Sequence, residues 1–528
     1  MIKTSIFDKE YRWALVASIL IVLLSSLPLM LGYALQTPEQ RFVGTIYDRQ
    51  DYSIHLAMMH YGAAGGWDYQ FRFTTEPHTA TFLKTFYVVI GHLTGWMGVP
   101  FDVVFQVTRI LLGLLACIFI YRLMTRIFPS IHQRRLAFVL AILGAGFGWL
   151  QTPLGLLPDP TIWPIDIWLI DAYVFFSIAL FPHFSALIIA LVLALTAFLD
   201  YLQQPNWRNI VVIAICAWFV QIVNPMAFAL ADFAMGGAFV FSCWQKRRFD
   251  WATALTLGLV AVIQIPLLVY SWNLLTRDPS WAVFSSQNST PSPPPVYLLF
   301  GFGLFWLFAI IGAIKAIRKP DAGSGLALFW LIPALILAYA PLEVQRRFLL
   351  AITIPLTILA IPVIFDFSSW LQRRLSLGKT VGAVAIVALA SFGSFFLVTI
   401  YSANISSRPP NLFEPAAVVE AMDWLGQHGS PNDVVLASEP TAQMVAIRTP
   451  LRLYFGHEME TLHFEDKARD VENFYRGLQP EAWLESLSVN WVVFGPHERE
   501  WSASPPHSSR LKLAYQNTQV TIYRVVAP

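Results

Sequence analysis

Charge is what this chain lacks most. Of its 528 residues only 13% are Asp, Glu, Lys or Arg, against about 25% in an ordinary soluble protein. Water cannot be the partner of most of its surface, so the bulk of the chain faces lipid or the inside of a bundle. The 35 cations and 33 anions nearly cancel, leaving a formal net charge of +2, and this removes the broad basic field that nucleic acid would need. Cysteine is scarce. Cys117, Cys216 and Cys243 all fall inside apolar stretches and read as small packing residues, which excludes a disulfide framework or a cysteine metal site. A glycine-rich phosphate loop is missing from the C-terminal region, and no internal repeat of the inverted-repeat transporter kind is found.

What the chain has is apolar length. Hydrophobic residues make up 56% of it, with 19 Trp and 40 Phe, as suits a helical membrane protein with aromatic residues at its interfaces. A spanning helix needs about 20 apolar residues, and the candidate spans are roughly 13–35, 103–122, 136–152, 184–202, 209–225, 227–244, 252–272, 298–317, 326–341, 348–366 and 380–400. Alternate loops between them are cationic: Arg122, Arg126, Arg134 and Arg135, then Arg208, then Lys246, Arg247 and Arg248, then Lys315, Arg318 and Lys319, then Arg373, Arg374 and Lys379. The other loops are poor in cations. The positive-inside rule therefore puts the N-terminus in the cytoplasm and the C-terminus outside, which an odd number of spans also requires. The run from Trp13 to Leu35 exceeds the about 7–15 apolar residues of a signal peptide core and is expected to stay as the first helix. Segments 82–98 and 167–181 do not fit the alternation as spans and are expected to be interfacial or re-entrant.

The expected architecture is an α-helical polytopic membrane protein of about eleven transmembrane helices plus interfacial helices, with a C-terminal extracytoplasmic α/β domain. Residues 1–401 form the membrane part, with a large first outer loop at 36–81 and a second at 153–183. Residues 402–411, polar with two prolines, read as a linker, and 412–528 as the outer domain. There, Pro415–His428 has helical periodicity, and Asp433–Ala437, Trp491–Phe494 and Val520–Val526 have the look of strands. Residues 288–295, Asn-Ser-Thr-Pro-Ser-Pro-Pro-Pro, make a stiff extended outer loop.

The polar side chains gather in the loops assigned to the outside. The first loop holds Tyr47-Asp48-Arg49-Gln50-Asp51-Tyr52 and then Phe73-Thr74-Thr75-Glu76-Pro77-His78. On a helix the spacing of Asp48 and Asp51 puts both carboxylates on one face. Such a pair acts as a general base with an orienting group, or shares a divalent metal, Mg or Mn, through oxygen; the plainer alternative is an Asp N-cap opening a helix at Asp51. Glu76 and His78 stand two apart on a proline-restricted stretch, suited to holding phosphate or orienting an acid, or are ordinary loop polars. The second loop carries Asp159, Asp166 and Asp171 with Trp163 and Trp168, has no Lys or Arg, and ends Phe181-Pro182-His183-Phe184 at the mouth of the next span. Acids with indoles suit sugar; an aromatic interface belt explains the tryptophans but not the acids. Glu343-Val344-Gln345-Arg346-Arg347 breaks the charge trend with two outer arginines, whose planar forks suit a ligand phosphate or snorkel to headgroups. Arg109, in the outer half of the second span, serves the same role or pairs with a loop carboxylate.

This pattern resembles the GT-C superfamily of membrane glycosyltransferases, in which a first helix is followed by a large outer loop with one or two acids at its start, as at Asp48 and Asp51. Glu76-Pro77-His78 is similar to the proline-containing stretch of protein O-mannosyltransferases and aminoarabinose transferases, with a different residue order. More closely, the chain resembles a group of bacterial integral membrane proteins of that superfamily, on Phe73–His78, Gly146-Phe147-Gly148-Trp149-Leu150, Asp166–Phe184, Gln345-Arg346-Arg347-Phe348, and Gly456-His457 followed by Glu460-Thr461. The resemblance implies a transferase of the bacterial inner membrane that uses a polyprenyl-phosphate-linked sugar, with a glycan, lipid or protein acceptor and no nucleic acid. It implies a catalytic carboxylate at Asp51 or Asp48 and a second at Asp166 or Asp171. Glu76, His78, Arg109, His183, Glu343, Arg346 and Arg347 are the remaining substrate-binding candidates. A metal, where one binds, would fall to Asp48, Asp51 and Asp166. Asp51-Tyr52 stands where many relatives have Asp-Glu, which leaves the choice of base open. The rival readings are a lipid or solute transporter or flippase and a non-catalytic scaffold of the same fold.

Overall fold

The computed structural model describes residues 9–157, 159, 161–375, 378 and 380–526. It divides into two compact units, one of Met1–Leu27, Val107–Tyr270 and Thr290–Ser402, the other of Pro28–Gln106, Ser271–Ser289 and Ala403–Pro528.

Every one of the eleven apolar stretches is helical, because a backbone in lipid must satisfy its hydrogen bonds within its own segment. Among the described residues, six helices are long and apolar enough to cross a membrane, Lys9–Ala34, Phe101–Ile127, Pro182–Gln203, Trp251–Arg277, the stretch Gln345–Arg374 and Val381–Ser406. Counting two bent pairs as one span each gives eight, so the structure supports six to eight spans where eleven were expected. Lipid-facing sides are visible in the exposure pattern. On Trp251–Arg277, Leu255, Leu259, Val262, Ile265, Val269 and Trp272 are all exposed, at the spacing of one helical face.

The two bends explain why 136–152 and 298–317 are not simple spans. Pro295–Phe302 and Leu304–Arg318 turn by 94° at Gly303, whose φ of +45° suits a residue without Cβ. Ile131–Leu143 and Gly148–Leu154 turn by 41°. Between the latter, Ala145 N–H donates to the Ala390 carbonyl at 2.8 Å and Phe147 N–H to that of Phe300 at 2.9 Å, so the amides freed by the break are re-satisfied from neighbouring helices.

Segment 167–181 contains only short pieces, the end of Ile165–Trp168, Ile170–Ala172 and Val174–Leu180, the last wholly buried. Segment 82–98 holds one helix, Phe86–Met97, of 12 residues; at about 1.5 Å per residue this is about 18 Å, short of a bilayer core of about 30 Å. It belongs to the second unit and packs closely on Arg49–Ala63 through glycine. A Cβ on Gly91 would stand 2.1 Å from the Met59 carbonyl oxygen, and one on Gly62 2.1 Å from that of Val88. Gly91→Ala is therefore expected to lower stability by about 1–3 kcal/mol, the usual cost of overpacking, read as a fall in the thermal midpoint of the detergent-solubilised protein.

The second unit also holds the sheets. β1 (Gln40–Phe42) pairs antiparallel with β2 (Phe413–Pro415), tying the loop after the first helix to the start of the C-terminal region. A five-stranded mixed sheet runs in the order β4 (Arg452–Leu453), β3 (Val434–Leu436), β5 (Trp491–Phe494), β7 (Thr521–Val525), β6 (Leu511–Gln516). β3 and β5 are parallel and wholly buried, as expected of a continuous Val/Leu/Trp/Phe run at a sheet centre. Helix Ala416–His428 lies where periodicity put it. Residues 402–406 of the expected linker continue the helix Val381–Ser406.

Candidate active site

In the second unit, the first-loop acids open the helix Arg49–Ala63. Asp48 is the N-cap: its Oδ1 accepts from Asp51 N–H at 3.1 Å, and its φ is +47°. The cap is thus three residues earlier than the one weighed at Asp51. Asp51 falls in the first helical turn, near the positive end of the helix dipole, with its side chain 48% exposed. Its Oδ1 stands 3.6 Å from Nε2 of His457, a residue only 2% exposed. The imidazole is held by its own loop: Nδ1 accepts the N–H of Met459 at 3.0 Å and of Glu460 at 3.2 Å. Thr461 Oγ1 accepts the N–H groups of Gly456 and His457, each at 3.2 Å. Gly456 has φ +146°, and a Cβ there would meet that of Ala442 at 2.5 Å, so this turn needs glycine.

Buried polar groups stand around this pair. Tyr69 donates its hydroxyl to Glu460, which Lys84 Nζ also approaches at 3.4 Å. Arg49 pairs with Glu414 at 2.7 Å, both side chains nearly inaccessible, and His497 Nε2 lies 3.3 Å from the same carboxylate. Gln50 donates to Glu439 at 2.9 Å, and burial pushes the Glu439 carboxyl up from its ordinary value.

Glu76 and His78 have other partners. Glu76 accepts from Thr74 and from Lys467 Nζ, the latter at 2.7 Å. Burial pushes its carboxyl up, but the Lys467 and Thr74 hydrogen bonds outweigh it and hold the group below its ordinary value. His78 accepts from Phe71 N–H at 2.9 Å and donates through Nδ1 to the Glu76 carbonyl at 2.9 Å, so both ring nitrogens brace the loop.

In the first unit, Asp166 is a buried backbone acceptor. Its Oδ2 takes the N–H groups of Gly146 and Gly148, both at 3.1 Å, inside the 41° bend. A Cβ on Gly148 would meet Asp166 Oδ1 at 2.2 Å, which accounts for Gly-Phe-Gly at this point. Burial pushes the Asp166 carboxyl up to about 7 against the pull of those amides. Arg109, 1% exposed, donates to the Ile178 carbonyl at 3.2 Å and to Ser26 Oγ at 3.0 Å, clamping three segments. The second loop and the arginine stretch are brought together: Ala351 N–H donates to the Asp171 carbonyl at 2.8 Å, and the Arg346 guanidinium lies 5.6 Å from the centre of the Trp168 ring, within cation–π range. The Glu343 carbonyl accepts from Thr290 N–H at 2.7 Å. Arg347 is half-buried beside Arg346, Glu343 is exposed, and the His183 ring lies against Phe184, tilted by 37° with ring centres 4.2 Å apart.

Two of the acids considered for a metal have partners in the fold. Asp166 gives one oxygen to two glycine amides and lies buried, and Asp48 caps a helix. No group of three His, Cys, Asp or Glu able to hold a metal ion is found among the described residues.

No protein-family model matches the chain, and no curated protein matches it by sequence. Solved structures do. The Archaeoglobus fulgidus oligosaccharyltransferase, solved with a tethered acceptor peptide containing the NVT sequon, is 13% identical over 93% of this chain and 70% of its own, with a TM-score of 0.55. ArnT from Cupriavidus metallidurans, solved with undecaprenyl phosphate bound, is 14% identical over 98% of each chain, with a TM-score of 0.53. The fold is the GT-C fold. The arabinofuranosyltransferase AftD from Mycobacteria shares it at 15% identity and a TM-score of 0.51, over 98% of this chain and 42% of its own. In this fold the acids Asp48 and Asp51 lie in the loop after the first helix. His457, Glu460 and Lys467 were not picked out as site residues from the sequence. The only signal for the first two was Gly456-His457 and Glu460-Thr461 in the resemblance; for Lys467 there was none.

Proposed function

We propose that this chain is a glycosyltransferase that moves a sugar, hexose or pentose, from a polyprenyl-phosphate-linked donor to an acceptor hydroxyl on the extracytoplasmic face of the bacterial inner membrane, with inversion. One observation carries the reading: in a GT-C fold, the first loop places a half-exposed carboxylate, Asp51, on the first turn of a capped helix. Asp51 takes the proton of the acceptor hydroxyl. The acceptor oxygen then bonds to the anomeric carbon as the bond from that carbon to phosphate breaks, its electron pair leaving on the lipid phosphate. Asp48 holds the turn through its cap. Arg346 and Arg347 are the proposed binders of a lipid phosphate; stabilising the charge that develops on a leaving group commonly lowers the barrier more than any other single effect, by about 2.7–4 kcal/mol for one donor. Dolichol phosphate in the archaeal oligosaccharyltransferase and undecaprenyl phosphate in ArnT support a lipid phosphate as the carrier. The acceptor is a glycan, lipid or protein, and residues 412–528 are the outer domain that meets it or covers the donor.

The test is reconstitution of the purified protein in vesicles with undecaprenyl phosphate carrying labelled mannose or arabinose. Label is expected to pass to an added acceptor. Label that crosses the bilayer still attached to its lipid, with no transfer, would replace this reading with a flippase.

A further inference from the structure

We propose that His457 is the positioning residue of the base, a neutral imidazole locked as a permanent Nε2–H donor toward Asp51. The inference rests on Asp51 being the base and adds a partner from the far end of the chain.

The lock is geometric. Two backbone N–H groups, from Met459 and Glu460, converge on Nδ1 at 3.0 and 3.2 Å. A lone pair must lie there, because a proton on Nδ1 would set one N–H against two others. The remaining ring proton therefore sits on Nε2. That atom is buried and has no hydrogen-bond partner among the described residues, an arrangement that usually has a reason. The group it faces is Asp51 Oδ1, at 3.6 Å. Contacts of this kind are commonly long without substrate and shorten in the reacting complex. The ring cannot swing away. Its loop is pinned at Gly456 by Ala442 and at Thr461 by two amides, and Phe73 packs on it at 5.6 Å between ring centres.

A donor aimed at a carboxylate does two things. It fixes which oxygen is presented to the acceptor hydroxyl, and it favours the ionised form that a base requires. Charged or titratable groups that also stand near this pair include Asp48 on the same turn, Glu439 and Glu458 beside His457, and Tyr69 with its partners Glu460 and Lys84.

Two measurements test the proposal on the full chain. Histidine nitrogen NMR of the isotope-labelled protein, with His457→Phe used for assignment, is expected to show the Nε2–H tautomer, and its Nε2 resonance should move in Asp51→Asn. The Nδ1–H tautomer, or a resonance indifferent to Asp51→Asn, overturns the proposal without any assay of transfer. In the vesicle assay, His457→Phe and His457→Met should lower kcat on the order of 10- to 100-fold, the usual effect of losing a hydrogen bond to a charged group, with KM unchanged and the acidic limb of the pH profile moved to higher pH. His457→Gln, which restores a distal donor, should recover much of the rate and of the limb. All three variants lose the Nδ1 acceptor, so equal losses in all three would reveal a merely structural role. Full activity in Asp51→Asn would sink the parent reading, whereas an inactive Asp51→Asn beside an unaffected His457→Phe would sink this inference alone.

Discussion

Asp51→Asn is expected to abolish measurable glycosyl transfer in a protein that still folds. A positioned general base contributes about 10²–10⁴-fold, so the barrier should rise by roughly 3–5 kcal/mol. Stability should barely change, because the side chain is 48% exposed and surface substitutions are usually worth within about 0.5 kcal/mol. The companion variants separate the two aspartates. Asp48→Asn keeps a good N-cap and should retain both stability and most of the rate. Asp48→Ala loses the cap, at about 0.5–2 kcal/mol, and should weaken the fold more than the chemistry. Initial rates with undecaprenyl-phosphate-linked sugar and thermal midpoints of the same preparations give both halves. A wild-type rate in Asp51→Asn would remove it as the base.

The parts legible in the sequence are those set by local periodicity or by the solvent. Lipid demands long apolar helices, and all eleven stretches are helical. The breaks inside two of them were not legible, because they depend on distant partners. The bend near Gly146 is stable only because the Asp166 carboxylate takes two of its amides, and nothing in the Gly-Phe-Gly stretch says so. For the same reason Asp166, which the sequence offers as a sugar-binding acid, a second catalytic carboxylate or a metal ligand, has its Oδ2 on two backbone amides. β3, β5 and β7 showed as runs of branched and aromatic residues. β1, β2 and β4 have two or three residues each, too few to carry a period, and they are made by pairing across the chain. In the candidate site, the acids at the head of the first loop were visible from their spacing, while the imidazole facing Asp51 comes from the C-terminal region. Spacing cannot connect residues so far apart. Arg346 stands out in the sequence for its charge on an unusual side; Trp168, which lies under it, is too distant along the chain for spacing to reveal.

Arg49→Ala should be the most destabilising single change near the site. Arg49 Nη1 is 2.7 Å from Glu414, with side chains 6% and 1% exposed, and Nη2 donates to the Pro440 carbonyl at 2.7 Å. Removing one member of a buried pair leaves the other charge uncompensated, at about 3–5 kcal/mol, and here it also unties β1 from β2, since Glu414 lies in the strand paired with Arg41. His497 decides how this depends on pH. Burial pushes the Glu414 carboxyl up, but His497 and Arg49 outweigh it and the folded value lies below the ordinary 4.5. Its contribution is therefore present above 4.5 and lost as pH falls through the lower folded value. The hydrogen bond to Glu414 raises His497 above its ordinary 6.5. Its contribution is complete below 6.5 and lost as pH rises through the raised value. The triad should thus be strongest between about 4.5 and 6.5, and the thermal midpoint of the full chain should fall on the alkaline side of that window. In His497→Gln the alkaline fall should vanish while the acid one remains. A midpoint that declines with pH as steeply as in the wild type would show that the buried pair is held by Arg49 alone.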